Sequence, residues 1–120
     1  MARVADYSII ADGWVLDQGN QNAINFDMPS NVDAGSRCIL GFMFNAGSLD
    51  DMTVTLKLNG TEVWNWTATG SSDPLIRYFH EVIPAGVLKG GTNTFKFKSS
   101  SDDLTFLELS DIVVWWQANI

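Results

Sequence analysis

Residues 52–67, MTVTLKLNGTEVWNWT, read as two alternating strands joined by Asn59-Gly60. Asn-Gly is the strongest short hairpin signal, because a two-residue type I′ turn needs positive φ at both central positions. Such a turn fixes the register and so decides which side chains share a face. In a regular hairpin Leu58 pairs with Thr61, Leu56 with Val63 and Val54 with Asn65. The alternate set pairs Lys57 with Glu62, Thr55 with Trp64 and Thr53 with Trp66. Faces alternate with period two, so Val54, Leu56, Leu58 and Val63 are expected to look inward. Trp64 and Trp66 then fall with Lys57, Glu62, Thr53 and Thr55 on the solvent face. Two exposed tryptophans on one face would mark a contact site. A bulged turn would instead flip the register and send both inward.

The rest of the chain reads as strand too. Segments 4–11, 13–17, 22–28, 37–45, 52–58, 61–67, 75–83, 92–99 and 104–118 are separated by clusters of Gly, Asn, Asp, Ser and Pro. The last is expected to break near Leu109-Ser110. Many short strands at this spacing predict an antiparallel β-sandwich or barrel. Only 84–90, PAGVLKG, could form a single short helical turn, with Pro84 at its start. Phe95 and Phe97 share a face against Thr94, Lys96 and Lys98. The run Ile39-Leu40-Gly41-Phe42-Met43-Phe44 is apolar on both faces. That pattern marks a central strand, or one whose second face a partner covers.

At 120 residues the chain is expected to be one domain, 1–120, long enough to bury a core. Seven basic against 14 acidic residues give a net charge of −7. Such a surface is repelled by phosphate backbones and anionic membranes, so neither nucleic acid nor a membrane is an expected partner. No apolar run is long enough for a transmembrane helix. The N-terminal residues lack an apolar signal region. The chain is therefore expected to act in the cytoplasm, to leave by a route without such a signal, or to be an excised domain of a secreted protein. Cys38 is the single cysteine, and a small buried hydrophobe is the stronger reading of it.

Three segments resemble the galactose-binding-domain-like jelly rolls, a group that includes carbohydrate-binding modules and accessory β-sandwich domains of glycoside hydrolases and polysaccharide lyases. Val54–Val63 is similar to their strand, Asn-Gly, strand hairpin. Ile83–Phe95 is similar to their sequence of hydrophobic residue, Pro, short turn, Leu-Lys and Gly-Thr-Asn-Thr. Leu109–Trp116 is similar to their closing strand. Together these span roughly the C-terminal half. The resemblance implies an all-β jelly roll and raises the expectation of carbohydrate recognition. In such modules the N-terminal third often completes a ligand site or a structural calcium site, and here it matches no motif.

Candidate binding residues follow from the aromatic pattern. Trp64 and Trp66 would form a flat platform for sugar rings, since an aromatic supplies large contact area at low entropic cost. The alternatives for that face are a subunit interface or packing against the domain itself. Trp115 and Trp116 point to opposite sides of a strand. Trp116 shares a face with Ile112 and Val114 and is expected in the core, which leaves Trp115 for exposure. Trp14 follows a turn and could be lid or rim. If Ile76 and Val82 face in, His80 faces in with them, while Arg77 and Glu81 lie outside. Arg77 could then grip sugar hydroxyls, or make a surface ion pair worth little. Asp17, Asp102 and Asp103, with Asp50, Asp51, Asn20 and Asn22, are candidate calcium ligands without the spacing of a known motif, and solvated turns are the stronger reading.

Catalysis finds no motif here: no Gly-x-Ser-x-Gly, no phosphate loop, no second histidine. The sequence therefore predicts non-catalytic carbohydrate binding through Trp64, Trp66, Arg77, Trp115 and Trp14, with a glycan as partner, no cofactor and self-association in view. The alternative is an assembly protein that buries its tryptophan face and the 37–45 strand between subunits.

Overall fold

The computed structural model describes residues 3–12, 15–17, 21–46, 52–68, 75–99 and 107–120. Among these residues the strands are β1 Arg3–Ala11, β2 Val15–Asp17, β3 Gln21–Met28, β4 Cys38–Ala46, β5 Met52–Leu58, β6 Thr61–Ala68, β7 Leu75–Ile83, β8 Gly91–Ser99 and β9 Leu107–Asn119. Each overlaps a segment read as strand from the sequence, and six of them run one residue past its bounds at one end. No helix is present among the described residues; 84–90 turns without completing one. One sheet has the order β1-β9-β4-β7, with β2 continuing β1 along the same side of β9. The other has the order β3-β8-β5-β6. All pairings are antiparallel. Counting β1 and β2 as one interrupted strand, this is the eight-stranded jelly roll.

The core lies between the sheets. Leu40, Phe42 and Phe44 of β4 face Val54, Leu56, Leu58, Phe95 and Phe97 of the opposite sheet, all fully buried. Each such side chain stabilises the fold by about 1.5–3 kcal/mol relative to exposure. From β9, Leu109 points in, and then Ile112, Val114 and Trp116 do so. The parity changes because a bulge follows Ser110, where Asp111 adopts φ 48°. Asp is among the few residues that tolerate this left-handed conformation. The irregularity expected near Leu109-Ser110 is thus a bulge within a continuous strand. Cys38 is buried, and burial pushes its thiol up to about 11. Folded protein should therefore resist a thiol reagent at pH 8 and label fully in urea; rapid labelling of the folded state would contradict this placement.

The hairpin turn is as expected, with Asn59 at φ 51° and Gly60 at φ 83°. Its role extends beyond the turn. The Asn59 side chain donates to the Val87 carbonyl (2.8 Å) and to Asn93 Oδ1 (2.6 Å), and its Oδ1 accepts from the Thr94 amide (2.8 Å). Asn93 is fully buried, accepts from the Lys89 amide and donates to the Lys89 and Gly91 carbonyls. These two asparagines bolt the hairpin to the 84–91 turn. This is the physical content of the Gly-Thr-Asn-Thr segment: every polar atom of the buried amide has a partner.

Candidate functional site

The tryptophan hairpin departs from the regular register. Leu58↔Thr61 and Lys57↔Glu62 pair as expected, but a bulge then sets Leu56 opposite Trp64 and Val54 opposite Trp66. Val63 is the extra residue, and Asn65 Nδ2 donates across the bulge to Glu62 Oε2 (3.0 Å). The expectation that Trp64 and Trp66 share the solvent face with Lys57 is therefore corrected. Both are half-buried and packed against the core. Trp64 meets Phe42 edge-on at 5.1 Å and Phe79 at 5.2 Å; Trp66 meets Phe44 edge-on at 5.1 Å. Aromatic pairs at these separations favour such tilted geometries.

Strand β7 also has the opposite parity to that expected. Phe79 and Ile83 turn to the core, and Tyr78, His80 and Val82 turn out. The deciding contact is Phe79, which packs with Phe42, Phe44 and Trp64. Burying that ring outweighs burying Val82 and spares His80 a dry environment. Arg77 and Glu81 lie on the core-facing register instead of the outer one. Arg77 stays exposed because β7 is an edge strand, and it pairs with Phe44. Trp64, Trp66 and Arg77 thus surround Phe44 at the β6/β7 edge.

Trp115 stands apart from them, on the outer face of the five-stranded sheet. Trp116 is buried beside Ile112 and Val114, and Trp115 is 37% exposed, as the strand parity predicted. Strand pairing lays out a row Tyr7–Trp115–Ile39–Val82 and a second row Ile9–Val113–Gly41–His80. Met43 and Tyr78 begin a third. At the centre is Gly41. A Cβ there would lie 2.6 Å from the Trp115 ring and 2.6 Å from the Tyr78 hydroxyl. The two rings converge over the glycine from opposite sides, so they lie along the sheet instead of standing off it. His80 completes the cluster, 5.0 Å from Tyr78 and 5.7 Å from Trp115. A glycine inside a strand often marks such a close approach.

Polar groups rim these rings. Asp111, set outward by the bulge, lies close enough to help raise the pKa of Tyr78, after the larger effect of partial burial. The phenol therefore stays a proton donor beyond its usual range. Along the other direction, Ile39 and Val82 continue into an open groove of about 690 Å³ whose walls include Ser36, Arg37 and Gln117. The face combines a ring cluster, a carboxylate at one side and hydroxyl, guanidinium and amide groups at the other. Such a surface can hold a flat ligand with an apolar face and a hydroxylated edge.

Of the residues singled out from sequence, Trp14, Asp102 and Asp103 lie outside the described residues, as does the side chain of Asp17. Among the described residues no group of three or more His, Cys, Asp or Glu could hold a metal. Tyr78, His80, Gly41 and Asp111 were not singled out as a site. Their signal was the lone Gly41 in a strand apolar on both faces.

No family model and no curated protein matches the sequence. Solved structures do match the fold. Dimeric latent PorU from Porphyromonas gingivalis aligns with a TM-score of 0.80 at 11% identity, over 99% of this chain and 13% of that one. A family 35 carbohydrate-binding module from an environmental isolate aligns with a TM-score of 0.55 at 15% identity, over 94% and 90%. The carbohydrate-binding module CBM36, solved with calcium and xylotriose, aligns with a TM-score of 0.51 at 13% identity, over 95% and 98%. The chain thus spans a small part of PorU and nearly all of either module. What these structures share with this chain is the fold, an antiparallel β-sandwich of jelly-roll type.

Proposed function

We propose that this chain, taken as one module over residues 1–120, is a non-catalytic carbohydrate-binding domain whose ligand lies on the outer face of the five-stranded sheet. The observation that carries this reading is the exposed ring cluster of Trp115, Tyr78 and His80 around Gly41. A pyranose ring would stack its C–H face on the indole. Asp111 and the Tyr78 hydroxyl would take its hydroxyl groups, and longer chains would run towards Ser36, Arg37 and Gln117. Support for glycan as the ligand class comes from the modules of the same fold, one of which was solved with xylotriose. Trp64 and Trp66 would act from beneath, by fixing β4 and β7.

The test is a broad glycan array with the parent and a Trp115→Ala/Tyr78→Ala variant. Binding by the parent, and at least about a tenfold loss in a still-folded variant, is the expected result; about 1.4 kcal/mol corresponds to tenfold. Equal binding by both would move the site elsewhere.

A second reading has its own observation. Ile9, Ile39 and Val82 are exposed in the same rows, and branched aliphatics add little to a stacking surface. They favour burial of this face against a second copy. On that reading light scattering gives a dimer, and Ile39→Lys/Val82→Lys gives monomers. A monomeric parent at high concentration would remove it.

A further inference from the structure

The opposite outer face carries a different chemistry. Three of the seven basic residues, Lys57, Lys96 and Lys98, project from neighbouring strands β5 and β8 of a chain whose net charge is −7. Lys57 and Lys96 are directly opposed, and Lys98 pairs with Thr55 in the next outward row. Like charges set directly across a ladder destabilise it. Lysines often protect exposed sheet edges, but β5 and β8 are the two inner strands of this sheet. None of the three makes an ion pair among the described residues, although Glu62 is across from Lys57. The three lysines, Thr55 and Glu62 line a depression of about 280 Å³. Around it the sheet presents neutral hydrogen-bonding groups: Thr53, Thr67, Asn65, Thr94 and Asn25.

We infer that this lysine depression is a second ligand site, for an acidic polysaccharide bearing sulfate or carboxylate groups. Among the described residues Glu62 is the one carboxylate facing three lysines in this depression, so an anion supplies the remaining countercharge, and the surrounding hydroxyls and amides suit a sugar backbone. A sparsely charged glycan fits this surface better than a nucleic acid. A duplex carries a charge about every 1.7 Å, and most of those would face the acidic remainder of the molecule.

Affinity electrophoresis through lightly sulfated dextran, polygalacturonate and unsubstituted dextran tests this, with mobilities referred to a polymer-free gel. The expected result is retardation by at least one charged polymer, at least tenfold stronger than by dextran and weakening as salt rises. The charged polymer that acts identifies the group as sulfate or carboxylate. Lys57→Gln/Lys96→Gln/Lys98→Gln should abolish retardation without lowering the melting temperature, because it removes a like-charge pair. The triple Lys→Arg variant should retain it. Trp115→Ala/Tyr78→Ala should also retain it, so failure of the aromatic-face reading would leave this site standing. Three results would overturn it: no retardation by either charged polymer, undiminished retardation of the triple Gln variant, or equally tight binding of a single-stranded oligodeoxynucleotide.

Discussion

Gly41→Val is expected to abolish glycan binding while the sandwich stays folded. The new Cβ would sit 2.6 Å from the ends of both the Trp115 and Tyr78 side chains, which no packed structure tolerates. Each clash is with the far end of a rotatable side chain, so the rings swing off the sheet and the backbone holds. Valine also suits a strand better than glycine by roughly 0.5–1 kcal/mol, which offsets the weaker packing of the displaced rings. The melting temperature should therefore move by only a few degrees. The flat surface disappears, and with it the stacking of sugar on two rings. Affinity should fall by at least about tenfold, equivalent to about 1.4 kcal/mol. Calorimetric melting alongside a binding titration separates the two effects. Unchanged affinity in the folded variant would show that the rings are not the platform.

Asn93→Ala is expected to give the largest loss of stability. The side chain makes four hydrogen bonds and is fully buried. Its removal leaves the Lys89 amide and the Lys89 and Gly91 carbonyls without that partner, and deprives the Asn59 amide of one of two acceptors. An unsatisfied buried group costs about 1–3 kcal/mol. Some groups will relax towards water, so a total of about 3–4 kcal/mol is expected. For a chain of this length that is a fall in melting temperature on the order of 10 °C. Asn25→Ala, on the exposed face of β3, should cost under about 1 kcal/mol. Similar losses for the two variants in denaturant titrations would refute the bolting role of Asn93.

These effects show where the sequence was legible. Alternation and turn residues located the strands, and Asn59-Gly60 specified its own turn, because these signals are local. The parity of Trp115 and Trp116 was also readable, since both lie on the C-terminal side of the β9 bulge. The bulges themselves were not. Val63 and Asp111 each shift the strand that follows, and a shift of one residue exchanges its faces. Thus Trp64 and Trp66 turned inward through a contest that local pattern does not record: Phe42, Phe44 and Phe79 offered them more contact than water did. The orientation of β7 was decided the same way, by Phe79 and not by the aliphatic Ile76 and Val82. Gly41 was visible as an anomaly in an apolar strand. Its meaning required knowing that Trp115 and Tyr78 flank it, which depends on pairing between residues distant in sequence.

Glycan binding on the face built around Gly41 carries the proposed function. Its most direct test is proton–nitrogen NMR of the labelled protein, titrated with xylotriose and a panel of other neutral oligosaccharides, following the tryptophan indole N–H signals. The Trp115 signal is expected to move, together with the backbone amides of Tyr78, His80 and Gly41, while Trp64, Trp66 and Trp116 stay in place. Movement confined to Trp64 and Trp66, or no response of Trp115 to any sugar that binds, would contradict it.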